Sequence, residues 1–255
     1  MKTNIFKVFH YYRDKNEFIR QLSGDDFNWR IVVNFCANII VLLFIYGFVM
    51  GIYHGLNQSI SAGIKLFSLF ILSLLICFPT FYVIQIIIGS RIKLLNLIAI
   101  ILSGAVLSSW ILVAFIPIVI FFMLTGDNYY FLQLLHIAIM AFASFFGMKL
   151  IIEALKYNCE NENIYPRTGV TIFRVWIVIF LFVSIQLGWN LRPFMSKHTE
   201  KFQIFRQYEG NFYTAIMYSF DKIVNPQKDE NKKETNPKNS DSLNIEKLKL
   251  YEQNR

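Results

Sequence analysis

Residues 94–124 read LLNLIAIILSGAVLSSWILVAFIPIVIFFML, a run without a single Asp, Glu, Lys or Arg. Crossing the hydrocarbon core of a bilayer takes about 20 helical residues, so this run indicates a membrane-spanning helix. At about 1.5 Å per residue it is too long for one upright span and too short for two spans with a turn. We expect Pro117 to bend it, because proline removes a helical hydrogen bond and clashes with the preceding turn.

Four more apolar runs surround this one, and together they decide the fold class. Residues 31–190 hold only 11 of the 42 charged residues in a chain that is 55% hydrophobic. Irregular backbone in lipid leaves polar groups unsatisfied, so we predict an all-α, polytopic transmembrane bundle. Pro79 should kink the second span. The five predicted spans are 31–53, 64–88, 94–124, 130–152 and 170–190.

The basic residues predict an orientation, because cytoplasmic loops carry an excess of Lys and Arg. Near the span ends, eight of them flank the start of span one or lie between spans two and three or four and five: Arg13, Lys15, Arg20, Arg30, Arg91, Lys93, Lys156 and Arg167. On the other side, the four near a span end all follow span five: Arg192, Lys197, Lys201 and Arg206. We therefore predict a cytoplasmic N-terminus and an outside C-terminus. The frequent Ile, Phe, Lys and Asn are typical of an AT-rich bacterial genome, so the predicted membrane is a bacterial inner membrane. A sixth crossing or a re-entrant third segment is the alternative.

Three further pieces flank the predicted bundle. Residues 1–29 form a cytoplasmic lead, interpreted either as a basic helix on an anionic membrane surface or as an ordinary polar flank. Residues 191–224 form an interfacial module that ends in an amphipathic helix over 211–224, with an apolar face of Phe212, Ile216, Phe220 and Ile223. Residues 225–255 lack an apolar period until Leu248 and predict a disordered tail.

Polar side chains inside the spans are the first candidates for function, because they are costly at membrane depth. The set comprises Asn34, Asn38, Gln85, His136, Glu153 and Arg174. They either form a polar pathway or make interhelical hydrogen bonds worth roughly 0.6 kcal/mol each, and the second interpretation is favoured. Glu153 and Arg174 should lie at similar depth, where they either form an ion pair or Arg174 reaches the headgroups alone.

The chain shows little that is typical of an enzyme or a metal protein. It has no P-loop, H-E-x-x-H or G-x-S-x-G motif, and Ser108 or Ser109 with His136 is the only candidate nucleophile and base. The three cysteines are far apart, so we expect no disulfide, metal or cofactor. The net charge of +8 is explained by cations beside the spans, so we expect no nucleic-acid partner. We predict that the protein is not an enzyme.

Small residues four apart indicate close helix packing. Gly47 and Gly51 form a G-x-x-x-G motif, and the segments 104–108 and 143–147 begin and end with small residues. The pattern leaves open whether these contacts lie within one chain or between copies.

Residues 186–194 read QLGWNLRPF, Phe205-Arg206 follow, and residues 211–213 read NFY. This segment resembles the C-terminal signature W-x-L-R-P-F, F-R and N-F-Y of an uncharacterised family of bacterial multi-span membrane proteins. The layout resembles, more loosely, the Yip family of membrane-trafficking proteins. Neither resemblance implies a catalytic activity. The module residues singled out are Trp189, Arg192, Pro193, Phe194, Phe205, Arg206, Asn211, Phe212 and Tyr213.

The function predicted from these features is that of a non-enzymatic integral membrane protein. It would scaffold or modulate a membrane partner or the bilayer, with the segment from Trp189 to Val224 as its contact surface. The expected partners are the lipid bilayer and either another membrane protein or a second copy of the chain. The alternative is a channel or transporter whose path is lined by Asn34, Asn38, Gln85 and His136.

Overall fold

A computed structural model describes residues 18–20, 22, 29–126, 128–161, 163–164, 166–195 and 212–224. In this part of the chain all regular structure is helical, and five segments are long and apolar enough to cross a membrane. The predicted all-α, polytopic bundle is therefore confirmed. The helices are α1 (Trp29–Ile52), α2 (Leu56–Ile87), α3 (Leu94–Ala114), α4 (Ile116–Thr125), α5 (Tyr129–Glu160), α6 (Arg167–Leu191) and α7 (Phe212–Val224).

Successive spans run in opposite directions, which gives the bundle two ends. We call the end where α1 begins the proximal end and the end where α1 stops the distal end. At the proximal end the amide of Arg91 donates to the carbonyl of Ile164 at 2.9 Å, which joins two connecting loops. At the distal end the rings of Tyr53 and Tyr129 lie 6.3 Å apart. Helix α1 packs mainly on α2 and α3, α3 on α5, and α6 on α2.

Two helices extend well beyond the predicted bounds of their spans. Helix α2 begins at Leu56 and not at 64, and α5 continues to Glu160 and not to 152. The predicted distal loop over 54–63 is therefore wrong. The turn is short because Gly55, with a φ of +139°, reverses the chain at once while its amide donates to the carbonyl of Gly51.

The third apolar run is interrupted next to Pro117. Helix α3 ends at Ala114, Phe115 interrupts it, and α4 begins at Ile116 with Pro117 in its first turn. Proline is tolerated in a first turn, where its missing N–H has no helical partner to lose. The two helices together form one candidate span, Leu94–Thr125. Pro79 lies inside α2, which continues on both sides of it.

The small-residue motifs bring helices together within one chain. A Cβ atom at Gly51 would lie 2.5 Å from the Cα of Ser59, and one at Gly47 would lie 2.7 Å from the carbonyl oxygen of Ala62. A Cβ at Gly104 would lie 2.6 Å from the carbonyl oxygen of Gly147. The α1–α2 and α3–α5 pairs therefore pack backbone against backbone, which confirms the predicted close approach.

The described part of the lead belongs to the bundle core. Phe18, Ile19 and Leu22 are buried, and the ring of Phe18 lies edge-on to that of Phe35 in α1 at 6.4 Å. The lead therefore packs against the bundle over these residues. The start of the lead, where a basic helix is one interpretation, and the predicted tail, 225–255, lie outside the described residues.

Candidate functional site

The chain leaves α6 by turning into the distal end of the bundle. Helix α6 ends at Leu191 and Arg192 adopts an extended conformation, because Pro193 cannot continue the helix. Pro193 and Met195 are buried, and Phe194 is half-buried. The R-P-F part of the predicted module is therefore an internal segment of the bundle.

Side chains from α2 and α5 bind the backbone of this segment. The Nζ of Lys65 donates to the carbonyl oxygen of Pro193 at 2.9 Å. The Nε2 of Gln58 donates to the same oxygen at 2.8 Å and to the carbonyl of Phe194 at 3.3 Å. The hydroxyl of Tyr129 donates to the carbonyl of Met195 at 3.4 Å. We call these three side chains and three carbonyls the distal latch.

The helical periodicity of α2 places the two main donors together. Gln58 and Lys65 are seven residues apart, which is about two turns and puts them on one face. Gln58 is fully buried, and Lys65 is only 5% exposed. A carbonyl oxygen has two lone pairs and can accept both donors. A lysine is costly in such a place unless its ammonium is bound, so these contacts explain how Lys65 is tolerated.

Neither main donor is among the residues that the sequence pattern indicates. Gln58 lies in the predicted loop over 54–63, and Lys65 is the second residue of the predicted span 64–88. A signal was available for Lys65, since a single cation next to a long apolar run is rare and commonly functional. No local pattern indicated Gln58, because its acceptor, Pro193, lies 135 residues further along the chain.

The arginine that directly follows α6 stacks on a tryptophan of its last turn. The guanidinium carbon of Arg192 lies 3.4 Å from the centre of a ring of Trp189, a cation–π geometry. Both side chains are half-buried. The three signature residues thus differ in role. Trp189 provides the ring, Arg192 provides the cation that stacks on it, and Pro193 forms the buried turn.

Helix α7 packs on the start of α5. The hydroxyl of Ser219 donates to the Oε1 of Gln133 at 3.5 Å, and the ring of Tyr218 lies edge-on to that of Tyr130. Ser219 is buried and Ile216 half-buried, so these residues mark the inner face of α7.

The outer face of α7 carries one of the predicted apolar residues. Phe220 is 61% exposed, because the contact of α7 with α5 is centred on Ser219. With Tyr213 and Met217, at spacings of four and three, Phe220 forms a row that we call the outer stripe. The side chains of Phe212 and Ile223 and the residues Phe205, Arg206 and Asn211 lie outside the described set.

The polar residues predicted within the spans are not gathered in one place. His136, near the distal end of α5, is buried, and its Nδ1 lies 3.0 Å from the hydroxyl of Tyr46. Asn38 donates to the backbone carbonyl of Asn34 one turn earlier, at 2.8 Å, in the proximal half of α1. Gln85 is buried near the proximal end of α2.

Several buried polar atoms among the described residues lack a hydrogen-bond partner. They include the Oδ1 of Asn38, the Nε2 of His136 and both amide atoms of Gln85. Asn158 is not in the predicted set, but it is fully buried and both of its amide atoms also lack a hydrogen-bond partner. Each such group costs about 1–3 kcal/mol.

The predicted ion pair between Glu153 and Arg174 stays a prediction. Arg174 is exposed on the surface of the described bundle. The exposure of Arg174 follows from the rotation of α6, whose Phe173 ring lies edge-on to the ring of Phe81 in α2 and whose Trp176 ring packs against the same ring at a tilt. This contact turns Arg174 to the outside of the bundle.

Both candidate nucleophiles bond to backbone carbonyls and not to the candidate base. The hydroxyl of Ser108 donates to the carbonyl of Ala143 at 3.0 Å, and that of Ser109 to the carbonyl of Ala105 at 2.8 Å. His136 contacts Tyr46. The structure therefore does not bring together a nucleophile and base from these three residues.

Comparison of the chain with family models, with curated proteins and with solved structures finds no match. The class of the protein is accordingly given by its own five apolar helices, which make it a multi-pass integral membrane protein.

Proposed function

We propose that this protein is a non-enzymatic scaffold or modulator of a membrane partner or of the bilayer, with residues 189–224 as its contact surface. The observation that supports this proposal is the distal latch. It fixes the backbone that follows α6, at the same end of the bundle where α7 lies on α5 with its outer stripe exposed.

A fixed platform binds more tightly than a flexible one, because less freedom is lost on association. The four latch hydrogen bonds contribute about 0.5–1.5 kcal/mol each, and more for the one from the Lys65 ammonium. Tyr213, Met217 and Phe220 of the outer stripe are 56%, 73% and 61% exposed. Aromatic side chains and methionine are enriched in protein interfaces, and tyrosine is enriched at the membrane surface.

We also propose an orientation of the bundle in the membrane. Exposed cations lie at the proximal end of the described bundle, namely Arg30, Arg91, Lys93, Lys156 and Arg167. By the positive-inside rule they favour a cytoplasmic proximal end and an outside α7. A C-terminal alkaline phosphatase fusion should then be active, whereas activity only of a cytoplasmic reporter would reverse the topology. We also propose membership of the family with the W-x-L-R-P-F signature.

Site-specific photocrosslinking tests the contact surface. A photoreactive phenylalanine at Met217, in native membranes, should give a distinct adduct, either with a protein or with lipid. The matched control is the same probe at Thr214, which is exposed on the same helix but outside the outer stripe. Equal yields from both positions, or none from Met217, would contradict a contact role for the stripe.

A channel or transporter is the second candidate. The supporting observation is the set of buried polar atoms without partners on Asn38, Gln85 and His136, since such groups are commonly satisfied by water or an ion. Ion or solute flux through liposomes that contain the purified protein separates the two candidates. Flux that disappears in both Gln85→Leu and His136→Phe would overturn the scaffold proposal.

A further inference from the structure

A cavity lies in the middle of the bundle, away from the distal latch. Its volume is about 140 Å³, and residues of α1, α2, α3, α5 and α6 line it. In α2 the lining extends from Leu66 to Leu74, and in α5 from Met140 to Ile151, which are the middle turns of both helices. The cavity is therefore at the depth of the hydrocarbon core.

The lining is apolar, and most of its hydroxyl groups are already engaged. Leucine, isoleucine, methionine and aromatic side chains form most of the wall. The hydroxyls of Ser108, Ser109 and Ser184 donate to the carbonyls of Ala143, Ala105 and Phe180. A water molecule needs two to four polar partners, and the few polar groups of this wall make the cavity a poor site for water.

The cavity reaches the outer surface of the bundle. Leu181 of α6 lines it and is 40% exposed, and Met148 of α5 lines it and is half-buried. On the inner side the lining residues Leu43, Leu66 and Ala105 are buried. At this depth the only medium outside a membrane protein is lipid hydrocarbon, so the cavity connects to acyl chains and not to water.

We propose that this cavity is a binding site for one acyl chain of a membrane phospholipid, which enters between α5 and α6. An apolar cavity of about 150 Å³ stays dry and accommodates a benzene molecule, so the present one accommodates a segment of about six carbon atoms. The acyl chain fills a space in which the side chains of the wall would otherwise lack dispersion contacts. The headgroup stays at the interface, because the wall has no charged group to receive it. The proposal stands on the cavity alone and is independent of the proposed function.

Photocrosslinking in reconstituted vesicles tests the site. The full chain is placed in phosphatidylcholine vesicles that contain a small fraction of a phosphatidylcholine with a diazirine in the middle of one acyl chain. After illumination, the modified residues are mapped by mass spectrometry. Adducts at the inner residues Leu43, Leu66 and Ala105 are diagnostic, because lipid that merely surrounds the bundle does not reach them.

A filling variant and a matched control complete the experiment. Ser144→Phe adds a ring to a residue that lines the cavity, and Ala141→Phe adds the same ring to an exposed residue of α5 outside the lining. We expect inner adducts in the unaltered chain and in Ala141→Phe, and about tenfold fewer in Ser144→Phe, because a ring of benzene size fills such a cavity.

Adducts confined to lipid-facing residues of the unaltered chain would overturn the proposal, and this outcome does not depend on how well the variants fold. Inner adducts that persist at full yield in a folded Ser144→Phe would overturn it as well.

Discussion

The distal latch gives the sharpest prediction about this protein. Lys65→Met keeps an unbranched side chain of similar length but removes the ammonium that donates to the carbonyl of Pro193 at 2.9 Å. Gln58 still donates to the same oxygen, so the variant weakens the latch without abolishing it. We expect the segment after α6 to open more often.

The size of the effect follows from the lost bond. A hydrogen bond from a charged group is worth about 1.5–3 kcal/mol, and each 1.4 kcal/mol is a factor of about ten in an equilibrium constant. The buried ammonium also loses hydration in the closed latch, and this cost offsets part of the gain. We therefore expect the lower part of the range, an increase of about tenfold in the opening equilibrium.

Thiol labelling measures the opening. Met195 is 6% exposed, so a cysteine at this position reacts with a membrane-impermeant maleimide only when the latch opens. The experiment uses a chain in which Cys36, Cys77 and Cys159 are replaced by alanine. When closing is fast, the labelling rate follows the opening equilibrium. Lys149→Met, a change at an exposed lysine of α5, is the control.

An unchanged or slower rate in Lys65→Met would refute the latch as an energetic element. An equal acceleration in Lys149→Met would show a general effect of charge and not of the bond. Gln58→Leu provides an independent check, since it removes two neutral hydrogen bonds, each worth about 0.5–1.5 kcal/mol, and should also accelerate labelling.

Two further predictions concern packing and charge. Gly51→Ala should lower the free energy of unfolding, measured with denaturant in micelles, by about 1–3 kcal/mol, because the added Cβ would overlap the backbone of Ser59. Gly126→Ala is the control and should be nearly neutral, since the nearest atom to a Cβ added there is 3.6 Å away. Equal effects of the two changes would contradict the close packing at Gly51. Glu153→Gln and Arg174→Gln should have effects on stability that are additive within about 0.5 kcal/mol, since the exposed Arg174 can reach the headgroups alone. A larger coupling in the double-mutant cycle would support the ion pair instead.

The spans could be predicted because hydrophobic length is a local property of the chain. A helix crosses a bilayer on its own hydrogen bonds, so a long apolar run suffices to identify it. The helix interruption next to Pro117 and the close approach at Gly47 and Gly51 also follow from single residues, since proline lacks an N–H and glycine lacks a Cβ. The helix ends were less predictable: α2 extends over polar residues because small side chains let that turn pack on α1.

What the sequence could not determine is the rotation of each helix and the partner of each buried polar group. Arg174 and Phe220 are exposed because neighbouring residues on their helices, Trp176 and Ser219, make the inward contacts. Lys65 binds a carbonyl 128 residues away, and only the packing of α6 on α2 brings the two together. Periodicity states which residues share a face. Which face is buried depends on the complementary surface of another helix, and that is decided by the tertiary structure.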